Sequence, residues 1–244
     1  MNFRTLAAAV ALSTSVFAMG ANAATVSINK GSVAGTFEGD FKVTAFNVTN
    51  LSRSESEASV ANWDAVSAPG STFGGGDSVI STDTFSYSGA LDFGTSSGSN
   101  TTIGSFLASG SGSVSGLDGG FGGLKNSKGN IDSGTGTATT TFYLFESLSA
   151  FTSGTFNIAH DDGVLVLDDG VALGGNAGPT GEIGTSVSGF DGGFVSFLYV
   201  STNSDPSVLR VDSDVSPVPV PAGVVLMGTA LAGFGAMRRR RKAA

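Results

Sequence analysis

Asp161 and Asp162 precede Gly163, and Asp168 and Asp169 precede Gly170, so four carboxylates fall within nine residues of chain. Calcium takes about six to eight oxygen ligands from carboxylates, carbonyls and water, and a stretch this rich in aspartate is a candidate to supply them. Aspartate before glycine is also what a tight turn selects, since the side chain hydrogen-bonds its own backbone and glycine accepts positive φ. The residues alone support both readings: a calcium site of Asp161, Asp162, Asp168 and Asp169, or two solvated turns.

Other chemistry is scarcer. The chain has no cysteine, which excludes thiolate nucleophiles and thiolate zinc sites, and one histidine, His160, too few for a multi-histidine metal centre. A Ser-His-Asp arrangement around His160 lacks a nucleophile elbow at a strand-to-helix turn. Two carboxylates for glycoside hydrolysis can be drawn from Asp161, Asp162, Glu182 and Asp191. Acid and base must differ in environment, however, and glycine-rich wet turns do not separate them. The expectation is a non-catalytic protein, with a secreted carboxylate-dependent glycoside hydrolase as the alternative.

The elements that would hold these residues read as strands. Phe156 and Ile158 alternate into a core, Asp161-Asp162-Gly163 turns, Val164 to Leu167 returns, and Asp169-Gly170 closes a second turn, a hairpin followed by another. Phe37, Phe41, Val43, Phe46 and Val48 alternate similarly, with a turn expected at Glu38-Gly39-Asp40. Strands are expected over 79–93, over 103–107 and, on an interior position, over 138–145. Residues 67–76 read as a long surface loop and 110–136 as a flexible glycine- and serine-rich excursion. No segment of the mature part sustains a helical period beyond about two turns. The fold expected is all-β, an antiparallel sandwich of jelly-roll or lectin-like type over 24–212, with Phe156, Ile158, Leu165, Leu167, Phe197 and Tyr199 mainly buried. An echo between 114–121 and 187–194 reads as two strand-turn-strand corners, because the flanks do not align.

The spacing of Asp161-Asp162-Gly163 and Asp169-Gly170, with the later apolar runs 194–199 and 207–211, resembles the protective-antigen-like lectin sandwich. That resemblance covers 150–212 and implies that 194–199 and 207–211 are the last strand pair. It also implies that the paired aspartates hold a calcium ion that takes sugar hydroxyls.

The two ends carry different information. Arg4, an apolar run over 6–19 and the small residues Ala21 and Ala23 before Ala24 form a secretory signal peptide over 1–23, cut by signal peptidase before Ala24. At the other end Val218, Pro219, Val220, Pro221, Ala222 and Gly223 lead into an apolar stretch to residue 237, then Arg238, Arg239, Arg240, Arg241 and Lys242. A helix over 222–237 would rise roughly 24 Å, enough to span with local thinning. The cationic tail, 238–244, would stay in the cytoplasm by the positive-inside rule. Proline motif over 213–221, apolar helix and arginine cluster in that order resemble the VPLPA-CTERM sorting signal, a relative of PEP-CTERM, although Val220 stands where leucine is usual. The resemblance implies an exosortase-type partner at the inner membrane, and release to the cell surface or extracellular matrix; an anchor never cut is the other reading.

Between the ends lie all 20 acidic residues and six basic ones, a net charge near −14. Such a surface repels nucleic acid and attracts divalent cations. About 190 residues suffice for one domain. The function expected is a surface or biofilm-matrix protein, structural or in contact with exopolysaccharide.

Overall fold

In the computed structural model, residues 35–74, 78–98, 101–131 and 138–219 are described. The signal segment with Ala21, Ala23 and Ala24, the motif residues Val220 to Gly223, the apolar stretch 222–237 and the basic residues Arg238 to Lys242 lie outside them.

β-branched and aromatic residues at period two make twelve strands: β1 Gly35–Thr36, β2 Glu38–Thr49, β3 Ile80–Ala90, β4 Asp92–Gly94, β5 Ser113–Ser115, β6 Thr139–Ser147, β7 Phe151–Asp161, β8 Gly163–Asp168, β9 Val171–Asn176, β10 Ile183–Gly193, β11 Val195–Ser201 and β12 Val208–Ser213. All pair antiparallel, in two sheets. One is ordered β5-β3-β2-β6-β11-β8-β9; the other is ordered β1-β12-β7-β10, with β4 also on β12. Sequence alternation turns one face of each sheet inward. In the larger sheet this aligns Phe85, Val43, Phe145, Phe197 and Val166 in one row across five strands. Opposite them Phe156 from β7 meets Phe197 edge-on at 5.3 Å, and Phe37 lies 5.3 Å from Phe197 and 5.5 Å from Phe156. Each such ring buried contributes about 1.5–3 kcal/mol.

The outer face of the larger sheet is covered as well, which the sequence reading did not anticipate. Ser59 accepts a hydrogen bond from the Asn62 N–H at 3.2 Å and starts helix α1, Val60–Ser67. Ala68 is extended, as a residue before proline is, and ends it. The helix sets Trp63 edge-on to Phe46 at 5.3 Å and buries Val66, beside Phe142, Leu198 and Val200. Phe46, Phe142 and Leu198 thus face a second small core rather than water.

Several expectations need correction. Residues 103–107 form a helix, α2 Ile103–Leu107, because Thr102 caps its start by accepting from the Ser105 N–H. Within 110–131, β5 and a short helix α3, Gly119–Gly122, are ordered. Residues 38–40 continue β2 without a turn, paired to 88–90. The echo is not structural: Asp118 caps α3, whereas Asp191 lies within β10. Neither β7 with β8 nor β11 with β12 is a hairpin, since the members of each pair lie in different sheets. The chain crosses the sandwich at 161–163 and at 202–207. Of the expected core, Phe156, Ile158, Leu167, Phe197 and Tyr199 are buried, while Leu165 is half-buried on the outer face. The segment expected as linker from 213 stays packed: Thr152 N–H donates to Ser216 and Val218 N–H to Ala150, both at 2.8 Å.

Candidate functional site

The two crossings meet at one end of the sandwich. The β7–β8 crossing at 161–163, the β9–β10 loop at 177–182 and the β11–β12 crossing at 202–207 enclose an open pocket of about 350 Å³. Asp161, Asp162, Thr180, Asn203, Asp205 and Arg53 stand among its walls. Arg53 closes one side, its guanidinium donating to the Pro179 carbonyl at 2.9 Å. Gly163 is needed for close approach: a Cβ there would stand 2.2 Å from the Ala177 carbonyl oxygen.

Both pocket aspartates are buried, Asp161 at 7% exposure and Asp162 at 1%, and the peptide bond between them is cis. Thr202 N–H donates to Asp162 Oδ2 at 2.6 Å, and the Thr180 backbone and Asn203 side chain add hydrogen bonds. Burial nevertheless raises the Asp162 carboxyl to about 8, with the charge of Asp161 contributing. Burial first, then the charge of Glu182, raises Asp161 to about 6.

Behind them His160 is fully buried. Its Nδ1 faces the Asp162 carbonyl, which can only accept, so Nδ1 carries the proton and Nε2 accepts from the Thr185 hydroxyl at 2.7 Å. Burial lowers its pKa, keeping it neutral. Tyr199 donates its hydroxyl to the Asp161 carbonyl. The histidine is a brace for the aspartate pair.

Asp168 and Asp169 lie at the far end of β8. Six strand residues at about 3.3 Å each put roughly 20 Å between the two pairs. One ion cannot take ligands from both, which divides the four-aspartate site. Asp169 and Gly170 both have positive φ, 45° and 83°, the signature of a two-residue hairpin turn between β8 and β9. Asp191 is beside Asp168, whose carboxyl is raised by burial and then by that neighbour. Of the carboxylates considered for hydrolysis, Asp191 is therefore separated from Asp161, Asp162 and Glu182. Among the described residues no three His, Asp or Glu side chains converge to hold a metal ion, so an ion at Asp161 and Asp162 would need other oxygens. Main-chain carbonyls and hydroxyls of the loops that carry Thr180, Thr202 and Asn203 are the remaining candidates, the Asn203 side-chain oxygen excepted because it accepts from the Ile131 N–H. Sequence reading missed these three and Arg53, since each reaches the pocket from a loop distant in sequence; the polar run 202–205 between two apolar strands was the available signal.

Of the sorting motif, Val218 and Pro219 are described, and Val218 is packed by its backbone beside the start of β7. No helix among the described residues is long and apolar enough to cross a membrane.

The chain matches no protein-family model and no curated protein. Among solved structures it is similar to a PA14 sugar-binding domain from an RTX adhesin, at 15% identity and a TM-score of 0.42, over 72% of this chain and 90% of that one. It is also similar to the PA14 domain of the antifreeze protein MpAFP, at 13% identity and a TM-score of 0.37, over 76% and 87%. A GH31 α-xylosidase from Xanthomonas citri matches over 78% of this chain and 16% of its own length, at 8% identity and a TM-score of 0.29.

Proposed function

We propose that the chain is an exported surface protein whose sandwich binds a glycan at the pocket walled by Asp161, Asp162, Thr180 and Asn203, with calcium held by the aspartate pair. The observation that carries this reading is a pair of buried carboxyls opening onto a polar pocket at the end of a sandwich. A buried carboxylate is costly unless a proton or a cation compensates it. Asp161 and Asp162 would hold the ion, backbone carbonyls of the surrounding loops and water would add oxygen ligands, and the Thr202 N–H and the Asn203 amide N–H keep Asp162 oriented. Bound calcium would supply coordination positions that take sugar hydroxyls. Arg53 and Thr180 donate to the sugar's remaining oxygens.

Export and sorting rest on the terminal residues: the signal before Ala24, and Val218 to Gly223 with the cationic cluster Arg238 to Lys242, recognised by signal peptidase and an exosortase-type enzyme. The pocket suits this placement. β7 alone spans about 33 Å between Phe151, which is bridged to Pro217, and Asp161. The pocket thus lies at the end of β7 opposite Pro217.

The test is a thermal melt and a glycan array on the exported chain, with calcium and with chelator, repeated for Asp162→Asn. Calcium binding only the folded state adds roughly 2.7 kcal/mol at a hundredfold excess over its dissociation constant. We expect that gain, and calcium-dependent glycan binding, to vanish in Asp162→Asn. Melting and binding that ignore calcium in both chains would overturn the reading. The intact mass of the exported chain tests the sorting, with retention of Arg238 to Lys242 as the contrary result.

A further inference from the structure

Across the Asn203 to Asp205 segment from the main pocket lies a second recess of about 180 Å³, lined by Gly98, Ser127, Lys128, Ser204 and Asp205. Ser204 and Asp205 wall both, so the segment is a ridge between two adjoining hollows. The ridge is held from both sides. Ser204 N–H donates to Ser127 Oγ at 2.7 Å and Ser204 Oγ to the Gly129 carbonyl at 3.3 Å. Asn203 Oδ1 accepts from the Ile131 N–H at 3.2 Å. Asp205 accepts from the Thr95 hydroxyl at 3.2 Å and the Thr101 N–H at 3.1 Å, one on each of its oxygens. Asn203 and Ser204 sit at φ of 58° and 73°, a conformation uncommon for residues other than glycine. Such backbone persists where the surroundings over-determine it and gathers at binding sites.

Lys128 supplies the chemistry. Its backbone is fixed to Thr139 by two hydrogen bonds, at 3.1 and 2.7 Å. Its side chain is exposed and its ammonium has no hydrogen bond or ion pair among the described residues. Lys42 and Arg210, by contrast, are paired to Glu146 at 3.0 Å and Glu182 at 3.4 Å. An ammonium without a partner among the described residues offers a local donor to an anion beside the recess, and it must do so against the negative field of the sandwich.

We propose that this recess is a second sugar subsite and that Lys128 selects a uronic acid there, so that the ligand is an acidic oligosaccharide lying across the ridge. The inference rests on the glycan reading of the main pocket and deepens it. The recess, about 180 Å³, is on the scale of one pyranose ring. A lysine ammonium is a compact charge with three donors, suited to a sugar carboxylate at the mouth of such a hollow.

The experiment is an array of gluco-, galacto- and mannuronic acid oligosaccharides, each beside its carboxyl-reduced neutral counterpart, probed in calcium with the exported chain, Lys128→Gln and Lys128→Arg. We expect one uronate series to bind about three- to tenfold more tightly than its neutral counterpart, with the preference narrowing as salt rises. Lys128→Gln should lose the preference while keeping the neutral binding, and Lys128→Arg should restore most of it. Equal binding of both forms, or a preference that survives Lys128→Gln, overturns this inference alone. Binding of neither form overturns it together with the glycan reading.

Discussion

Asn126 shows how a wholly buried polar side chain is accommodated beneath the pocket. Its Nδ2 donates to Ser201 Oγ and Ser207 Oγ at 3.0 Å each, and its Oδ1 accepts from the Tyr143 hydroxyl. Its backbone carbonyl accepts from Thr141 Oγ1 at 2.5 Å, and its N–H donates to the Thr101 carbonyl at 3.0 Å. The residue ties the loop between α3 and β6 to the roots of β11 and β12, and so to the ridge. Asn126→Ala leaves the Tyr143 hydroxyl without its acceptor in a dry interior, a cost of about 1–3 kcal/mol for each stranded group. We expect a total loss near 3 kcal/mol in urea unfolding, with unchanged cooperativity. A loss below about 1 kcal/mol would mean that water reaches these groups and replaces the amide.

At the scale of elements, the sandwich depends on a short helix as well as on strands. α1 covers the outer face over β2, β6 and β11, and without it Phe142, Leu198 and Val200 would face water. Its eight residues are too few to be helical alone, so capping and packing must hold them. Ser59→Ala removes the cap and should cost about 1 kcal/mol. Trp63→Ala removes the ring packed on Phe46 and should cost about 2 kcal/mol, less than for a fully buried tryptophan. Trp63 is the one tryptophan in the chain, so its emission in the Ser59→Ala protein reports this cover directly. Emission and circular dichroism that shift at different urea concentrations would show the helix to be a separately melting lid.

For the molecule as a whole, three tyrosines are buried at the sandwich centre with their hydroxyls on protein acceptors: Tyr87 on Ala90 at 2.5 Å, Tyr143 on Asn126 and Tyr199 on Asp161. Burial raises Tyr87 to about 12, and Tyr143 and Tyr199 well above their ordinary value of 10.0. The unfolded chain therefore releases these protons at a lower pH than the folded one. Stability is fully present below pH 10 and falls as pH rises through the folded values, by about 1.4 kcal/mol per unit for each tyrosine and about 4 kcal/mol per unit for the three. We expect abrupt alkaline unfolding, with tyrosinate absorbance appearing together with the loss of sheet signal. Tyrosines that all ionise near pH 10 with the sheets intact would contradict their burial.

Strand type and the bulk of the core were legible in the sequence because period-two alternation is a local property, and Phe156, Ile158, Phe197 and Tyr199 are inward residues by that rule alone. Asp169-Gly170 was legible as a turn for the same reason, since its positive φ pair is a demand on two adjacent residues. The aspartates of 161–162 carry an identical local signature and a different role. Which sheet a strand joins depends on partners far along the chain, and only those partners make β7 to β8 a crossing instead of a hairpin. The crossing buries Asp161 and Asp162 against residues 177–182 and 202–207, and that burial, a property of three loops together, is what perturbs their carboxyls. Charge and apolar patterning at the ends were likewise local and readable. The ridge with Lys128 on one side and the aspartate pair on the other was decided by tertiary structure, because its two hollows are made of segments that no short window of sequence contains.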